Sequence, residues 1–135
     1  MHTSSPKSYS FMRGFSLVEM MACVSIIGII AFMAIPSVTR MRGDSERNLA
    51  IARAESLNLA QASYIQVRGR TQAALEWTAA SSADLKYKLL SSYLSFAESN
   101  FSYYMPSGYT VTFPPSITSM SKVTLKDPTN AVIPY

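Results

Sequence analysis

The stretch RGFSLVEMMACVSIIGIIAFMAIP, residues 13–36, decides the fold. From Phe15 to Ile35 it holds 21 residues with a single charged side chain, Glu19. As a helix rising about 1.5 Å per residue, this run is about 31 Å long, close to the roughly 30 Å thickness of a bilayer core. The rest of the chain is too short to enclose such a rod as a buried core helix. The run therefore predicts a membrane-spanning helix.

A secretory signal peptide is the alternative interpretation of a polar leader followed by an apolar run. Its apolar region usually has roughly 7–15 residues and ends at a cleavage site flanked by small residues. The run here is longer, and the sequence after it, PSVTRMRGD (36–44), has no such site near its start. The composition therefore favours a span that stays in the mature protein.

Charge gives little guidance on orientation or partners. The chain has 12 basic and 8 acidic residues and a net charge of +4. Two of the basic residues, Lys7 and Arg13, precede the span, whereas Arg40, Arg42 and Arg47 follow it. Cytoplasmic flanks carry the excess of Lys and Arg in most membrane proteins, so this count does not favour a cytoplasmic N-terminus.

The residues needed for catalysis or metal binding are sparse. The single cysteine, Cys23, lies inside the apolar run, so no internal disulfide can form. The single histidine, His2, lies at the start of the chain. Acidic residues of the second half are scattered over loops and a helix: Glu76, Asp84, Glu98 and Asp127. We therefore expect no catalytic residue, no metal site, no cofactor and no enzymatic activity.

A series of arginines follows the span: Arg40, Arg42, Arg47, Arg53, Arg68 and Arg70. Acidic residues interrupt the series, and few aromatic residues accompany it. This pattern is typical of a solvated or subunit-facing side of a helix. A membrane-tethered nucleic-acid-binding protein is the alternative. DNA contact by an assembled filament also stays open, because stacked subunits would multiply a weak basic patch.

One helix is predicted from Phe15 to Arg68. Asn48 to Val67 contains neither proline nor glycine, and apolar residues recur there at helical spacing: Leu49, Leu57, Ala60, Tyr64 and Val67. Gly28 and Pro36 are the expected helix breaks, with a bend or an unwound turn near the proline. Gly69 is the expected C-cap.

The remainder predicts a small head. Residues 70–82 are expected to form a partly helical connection, and a second helix follows from a capping box of Ser81 and Asp84. The alternating segments YTVTF (109–113) and KVTLK (122–126) predict short antiparallel strands. MPSG (105–108) suits a type I turn, and AVIPY (131–135) suits a short edge strand. The fold class is α+β, with a long N-terminal helix packed against a small head containing a short helix and a small antiparallel sheet.

The quoted stretch resembles the leader and N-terminal helix of type IV pilins and of the related type II secretion pseudopilins. The matching residues are Arg13, then Gly14 and Phe15, the carboxylate of Glu19, an apolar run and Pro36. The combination G-F-x-L-x-E followed by an apolar run that ends at a proline is much more specific than an apolar run alone.

The resemblance implies a processing step and an assembly step. A prepilin peptidase is expected to cut between Gly14 and Phe15 and to methylate the new amine of Phe15. The retained run then anchors the subunit and later becomes filament core. The carboxylate of Glu19 is expected to neutralise the Phe15 amine of an adjacent subunit and to fix the register of the filament.

The same resemblance implies domains, partners and location. The expected domains are a cleaved leader (1–14), a transmembrane and assembly helix (15–36), its amphipathic continuation (37–69) and a small α+β head (70–135). Expected partners are prepilin peptidase, other pilin-like subunits in a homo- or hetero-polymer, and the inner membrane with its assembly platform. The subunit would span the bacterial inner membrane once, N-terminus cytoplasmic and head periplasmic, before it joins a surface pilus or a periplasmic pseudopilus. The alternative function is that of a type II secretion pseudopilin.

Overall fold

The longest element of the computed structural model, which describes residues 14–135, is helix α1, Leu17–Arg68. It confirms the single long helix that the sequence predicts. The helix begins two residues after Phe15, because Ser16 adopts the capping position in front of it. All but the last residue of the expected leader, 1–14, lies outside the described residues.

The chain divides into two units, one ending at Arg40 and the other comprising Met41–Tyr135. The division falls inside the segment 37–69 that the sequence assigns to the amphipathic part of the long helix. The four expected domain ranges stay a prediction.

The backbone of α1 is helical at both expected breaks, Gly28 and Pro36, so the described helix has no unwound turn there. A proline removes one backbone donor, but the hydrogen bonds on either side can persist. The Thr39 hydroxyl also donates to the Pro36 carbonyl at 3.0 Å. A Cβ atom added to Gly28 would meet nothing within 4 Å, so no close packing requires glycine. A bend near Pro36 stays a prediction.

In the unit Met41–Tyr135, α1 buries one face. Its buried residues recur at spacings of three or four: Ala50, Ala54, Leu57, Ala60, Gln61 and Tyr64. Three of them belong to the predicted stripe, whereas Leu49 and Val67 of that stripe are exposed. The buried face is thus rotated slightly from the expected one, and small alanines make up half of it.

Helix α2, Arg70–Ala79, starts directly after Gly69. Gly69 has a φ of 81°, which favours glycine, and it ends α1 as predicted. The prediction of a partly helical connection over residues 70–82 is confirmed, since residues 70–79 are helical and residues 80–82 are not. Trp77 of this helix is only 1% exposed. The indole N–H donates to the Pro114 carbonyl at 3.0 Å, and the ring meets Phe113 edge to face at 5.7 Å. Trp77 is an anchor of the head core.

Helix α3, Ala83–Leu90, is capped by Ser82 and not by Ser81. Ser82 has an extended backbone, and its hydroxyl accepts the Leu85 N–H at 3.2 Å. The predicted capping box was wrong by one residue, because Asp84 then occupies the second helical position and cannot complete it. A 3-10 turn and a four-residue helix α4 follow: Ser91–Tyr93 and Phe101–Tyr104.

The sheet consists of two antiparallel strands, β1 at Thr110–Thr112 and β2 at Thr124–Lys126. Val111 lies opposite Leu125, and both are buried while their neighbours along the strands are exposed or half-buried. This confirms the predicted alternation and the α+β class. The expected edge strand at 131–135 contributes a single bridge pair through Val132.

The turn before β1 lies one residue later than predicted. The Tyr109 N–H donates to the Pro106 carbonyl at 3.1 Å, so Pro106 is the first turn residue and not the second. Gly108 is then the third residue, with a φ of 84°, as a type II turn requires. A Cβ atom there would lie 2.9 Å from Cγ of Pro128. The predicted type I turn was therefore wrong, because a type I turn has a negative φ at its third residue whereas Gly108 has a positive one.

Candidate processing and assembly site

The expected cleavage point lies in non-helical backbone before α1. Gly14, Phe15 and Ser16 precede the helix and are exposed. The Phe15 side chain is 79% exposed, and a Cβ atom added to Gly14 would meet nothing within 4 Å. A peptidase has to bind its substrate as extended backbone, so an uncovered bond between Gly14 and Phe15 suits that chemistry.

Glu19 belongs to a reciprocal capping box with Ser16. The Ser16 N–H donates to Oε2 of Glu19 at 2.9 Å, and the Glu19 N–H donates to the Ser16 hydroxyl oxygen at 3.2 Å. These bonds satisfy two backbone donors at the start of α1. The carboxylate also lies in the first helical turn, where the helix dipole favours negative charge.

The capping box gives Glu19 a local role that the sequence analysis missed. The signal was available, since Ser16 and Glu19 have the spacing S-x-x-E in front of an apolar run. Within residues 14–135 this carboxylate hydrogen-bonds through Oε2 only, which leaves Oε1 as a free acceptor. The box can therefore hold the carboxylate in place while one oxygen remains available to a cation.

The apolar run behind Glu19 is uncovered. Its large apolar side chains are all exposed, from 48% at Met20 to 81% at Phe32. By length and composition α1 could cross a membrane, and its most apolar window is not buried by any described part of the chain. Such a contiguous apolar surface requires lipid or another protein against it.

The arginine series does not form one continuous charged surface. Arg53 is half-buried; its guanidinium donates to the Tyr104 carbonyl and lies 5.6 Å from the Phe96 ring and 5.4 Å from the Tyr104 ring. Arg68 lies 3.6 Å from the carboxylate of Glu76. Arg70, although exposed, donates to the Thr118 carbonyl at 3.4 Å. These three arginines therefore make contacts within the head, whereas Arg40, Arg42 and Arg47 are exposed and precede it along α1.

A polar contact joins α1 to α2 at Tyr64 and Glu76. The buried Tyr64 hydroxyl donates to the Glu76 carboxylate, and Gln72 donates to the same carboxylate at 3.0 Å. The Tyr64 hydrogen bond, followed by that of Gln72, holds the pKa of Glu76 below its usual value. Burial, strengthened by Glu76, raises the pKa of Tyr64 far above its ordinary value. The pair therefore stays as neutral phenol and charged carboxylate at neutral pH.

Within residues 14–135, no three His, Cys, Asp or Glu side chains lie close enough to hold a metal ion. The polar groups described above serve helix capping and packing. The distinctive features of the described residues are therefore the capping box at the N-terminal end of α1 and the uncovered apolar run behind it.

Residues 10–35 match the family model described as "Prokaryotic N-terminal methylation motif". A second comparison finds similarity to the type IV major pilin protein PilA of Myxococcus xanthus strain DK1622, with 38% identity over 58 residues. That alignment covers 43% of this chain and 26% of the relative, so the chain spans much less than the full length of the pilin it matches. No solved structure matches the chain significantly.

The chain thus carries a prokaryotic N-terminal methylation motif, which includes the capping box and the apolar run described above. Together with the pilin match, this motif confirms the predicted resemblance to the type IV pilin family.

Proposed function

We propose that this pilin-like subunit is a structural component of a type IV pilus-like filament, assembled through its N-terminal apolar helix. The observation that carries the proposal is the uncovered apolar run of α1, which lies within residues 10–35 that match the methylation motif. The similarity to a major pilin supports a pilin-like subunit, and a type II secretion pseudopilin is the alternative. We assign the chain no catalytic role.

Processing would take place at the bond between Gly14 and Phe15. Hydrolysis of this amide bond by prepilin peptidase frees the Phe15 amine, which then accepts a methyl group from a sulfonium-type donor. Before assembly the subunit would span the bacterial inner membrane once, with its N-terminus cytoplasmic and its head periplasmic. The exposure of both residues supports access to the bond.

Assembly would bring the Phe15 amine of one subunit to Glu19 of its neighbour. A cation entering an apolar filament core needs a partner, because an unpaired buried charge is strongly unfavourable. The capping box supports this role, since it orients the carboxylate and leaves Oε1 free in the described residues. DNA contact is not part of the proposal, because Arg53 and Arg68 are engaged within the head.

Intact-mass spectrometry of the protein extracted from its native membrane tests the processing step. The expected species begins at Phe15 and carries one N-methyl group, so its mass exceeds that of residues 15–135 by one CH2 unit. Gly14→Leu should leave the full-length chain in the membrane, whereas the matched change Gly28→Leu, beyond the cleavage point, should be cut normally. An unchanged full-length mass in wild-type cells with active prepilin peptidase would refute the proposal.

Location distinguishes the two kinds of filament. Shearing intact cells should release processed subunits in long surface filaments if the chain forms a pilus. Processed subunits that stay periplasmic, and are released only when the outer membrane is opened, would instead support the pseudopilus alternative.

A further inference from the structure

An open depression lies beside α1 in the unit Met41–Tyr135, where the segment after the 3-10 turn meets the helix. Its wall includes the apolar side chains of Leu49, Ala52 and Phe96, and its volume is about 240 Å³. A cavity of roughly 150 Å³ can hold a benzene molecule, so this depression has room for an aliphatic side chain. Phe96 is 58% exposed, and Leu49 is also exposed. Exposed apolar side chains grouped around a depression indicate an interaction surface, which we call the Phe96 depression.

Arg53 also lines the Phe96 depression and gives it a positive charge. The guanidinium donates to the Tyr104 carbonyl, a neutral group that leaves the charge uncompensated. Among residues 14–135 the one ion pair joins Arg68 to Glu76, so no described carboxylate pairs with Arg53. A partner that fits this depression therefore combines an apolar side chain with a carboxylate.

That combination is present on another face of the same helix. Leu59 is 70% exposed, and the exposed Glu55 precedes it by four residues, so the two side chains are neighbours on the surface of α1. Leu59 follows the buried Ala50 by about two and a half helical turns, which places it on the side opposite the buried face. The chain thus carries an apolar depression with a positive charge and an apolar protrusion with a negative charge, the Leu59–Glu55 face.

A second copy of this chain can join these two surfaces. Subunits anchored with one topology in the same membrane have parallel α1 helices. Leu59 lies two turns beyond Ala52 of the depression, which is about 10 Å along the helix. Because the two surfaces differ and lie at different heights, their contact is heterologous and shifts each copy along the helix axis. Such a contact does not close into a ring and continues as an open helical filament.

We propose that the Phe96 depression receives the Leu59–Glu55 face of a neighbouring copy, with Leu59 in its apolar part and the Glu55 carboxylate against Arg53. This contact rests on the proposed filament and names a surface for it outside the apolar N-terminal run. The contact would set the axial step between neighbouring subunits, because the knob and its depression lie at fixed heights on α1.

Cysteine cross-linking in sheared filaments tests the contact. The variant combines Leu59→Cys and Phe96→Cys with Cys23→Ala, which removes the native thiol. Oxidation with copper phenanthroline should give a ladder of disulfide-linked dimers, trimers and longer multimers on a non-reducing gel, because each copy joins the next. Each single cysteine variant should stay monomeric. The matched pair Leu75→Cys and Phe96→Cys should also stay monomeric, since Leu75 is similarly exposed but lies on α2.

The outcomes separate this contact from the proposed function. Filaments of the Leu59→Cys and Phe96→Cys variant that stay monomeric after oxidation would overturn the contact and leave the filament standing. Absence of any filament from wild-type cells would overturn both.

A bulky charge at Leu59 gives a second test that needs no cysteine. Leu59→Arg would place a cation in the apolar depression beside Arg53, so the sheared filament fraction should fall about tenfold or more while processing and membrane insertion stay normal. Leu75→Arg is the matched control and should give wild-type amounts of filament. Wild-type amounts from processed Leu59→Arg subunits would overturn the contact.

Discussion

The two parts of α1 share one backbone conformation and differ in what surrounds them. In the unit ending at Arg40, apolar side chains such as Phe32 are 81% exposed, whereas Ala54 and Leu57 in the unit Met41–Tyr135 are fully buried. The second unit supplies its own cover from α2, α3 and the strands. The first has none within the described residues. The first part of α1 therefore exposes an apolar surface of the kind that contacts lipid or another protein, whereas the second part is stabilised by packing within the chain.

Trp77→Ala should have the largest effect on stability and should act on the second unit alone. It removes a fully buried indole, its bond to Pro114 and its contact with Phe113. The expected loss is about 3–5 kcal/mol in free energy of unfolding, measured by urea titration in detergent with circular dichroism. Leu75→Ala, on an exposed position of the same helix, should change it by less than about 0.5 kcal/mol. Equal stability of the two variants would contradict the assignment of Trp77 to the core.

Gly108→Ala should destabilise the head by about 1–3 kcal/mol. The alanine would have to adopt the positive φ of this position, and its Cβ atom would lie 2.9 Å from Cγ of Pro128. Gly43→Ala is the matched control, since that glycine is helical with free space around it, and it should gain up to about 1 kcal/mol. The same urea titration measures both. A stabilising Gly108→Ala would refute the type II turn.

Ser16→Ala should weaken the start of the apolar helix by about 0.5–2 kcal/mol. It removes the hydroxyl that accepts the Glu19 N–H. Hydrogen exchange in micelles should become faster at residues 17–20 and stay unchanged in the head, and Ser16→Thr should restore it. Ser25→Ala, which loses only a bond to the Met21 carbonyl, is the control. Unchanged exchange at residues 17–20 would exclude the capping box.

Glu76→Gln should have the smallest effect, visible mainly as a change in pH dependence. The Tyr64 hydrogen bond, followed by that of Gln72, keeps the pKa of folded Glu76 below its ordinary value of 4.5. The stabilisation is therefore complete above about pH 4.5 and is lost as the pH falls through the folded pKa. Melting curves between pH 3 and 7 should show a shallower acid decline in Glu76→Gln than in wild type. A wild-type acid decline in Glu76→Gln would show that the pair contributes nothing to this pH dependence.

The long helix and the strands could be predicted because their signals are local. The apolar run and the absence of proline and glycine from Asn48 to Val67 indicate α1, and the alternation around Val111 and Leu125 indicates the strands. The methylation motif was likewise readable from consecutive residues, with Glu19 as its most informative member.

The errors arise where two neighbouring residues offer the same chemistry. Ser81 and Ser82 can both cap a helix, and only the packing of α3 selects the second. Pro106 can be the first or second residue of a turn, and the positive φ of Gly108 decides it. These choices depend on tertiary contacts, which short sequence windows do not contain.

The role of Arg53 could not be predicted for a similar reason. In the sequence it is one member of an arginine series, and its aromatic partner Phe96 is 43 residues away. The burial of Gln61 could not be predicted either, because a glutamine at that position suits an exposed helix face as well as a buried one. Both depend on long-range packing that brings the C-terminal half of the chain onto α1.

Filament formation by Glu19→Ala tests the central claim most directly. We predict that this variant is cut before Phe15 and stays in the membrane, while the filament fraction sheared from cells falls about a hundredfold or more. Removing one partner of a buried ion pair costs about 3–5 kcal/mol, and about 1.4 kcal/mol corresponds to tenfold. Glu19→Gln, which can retain the capping bond to Ser16 without the charge, should also fail to assemble. Wild-type amounts of filament from correctly processed Glu19→Ala subunits would contradict the account.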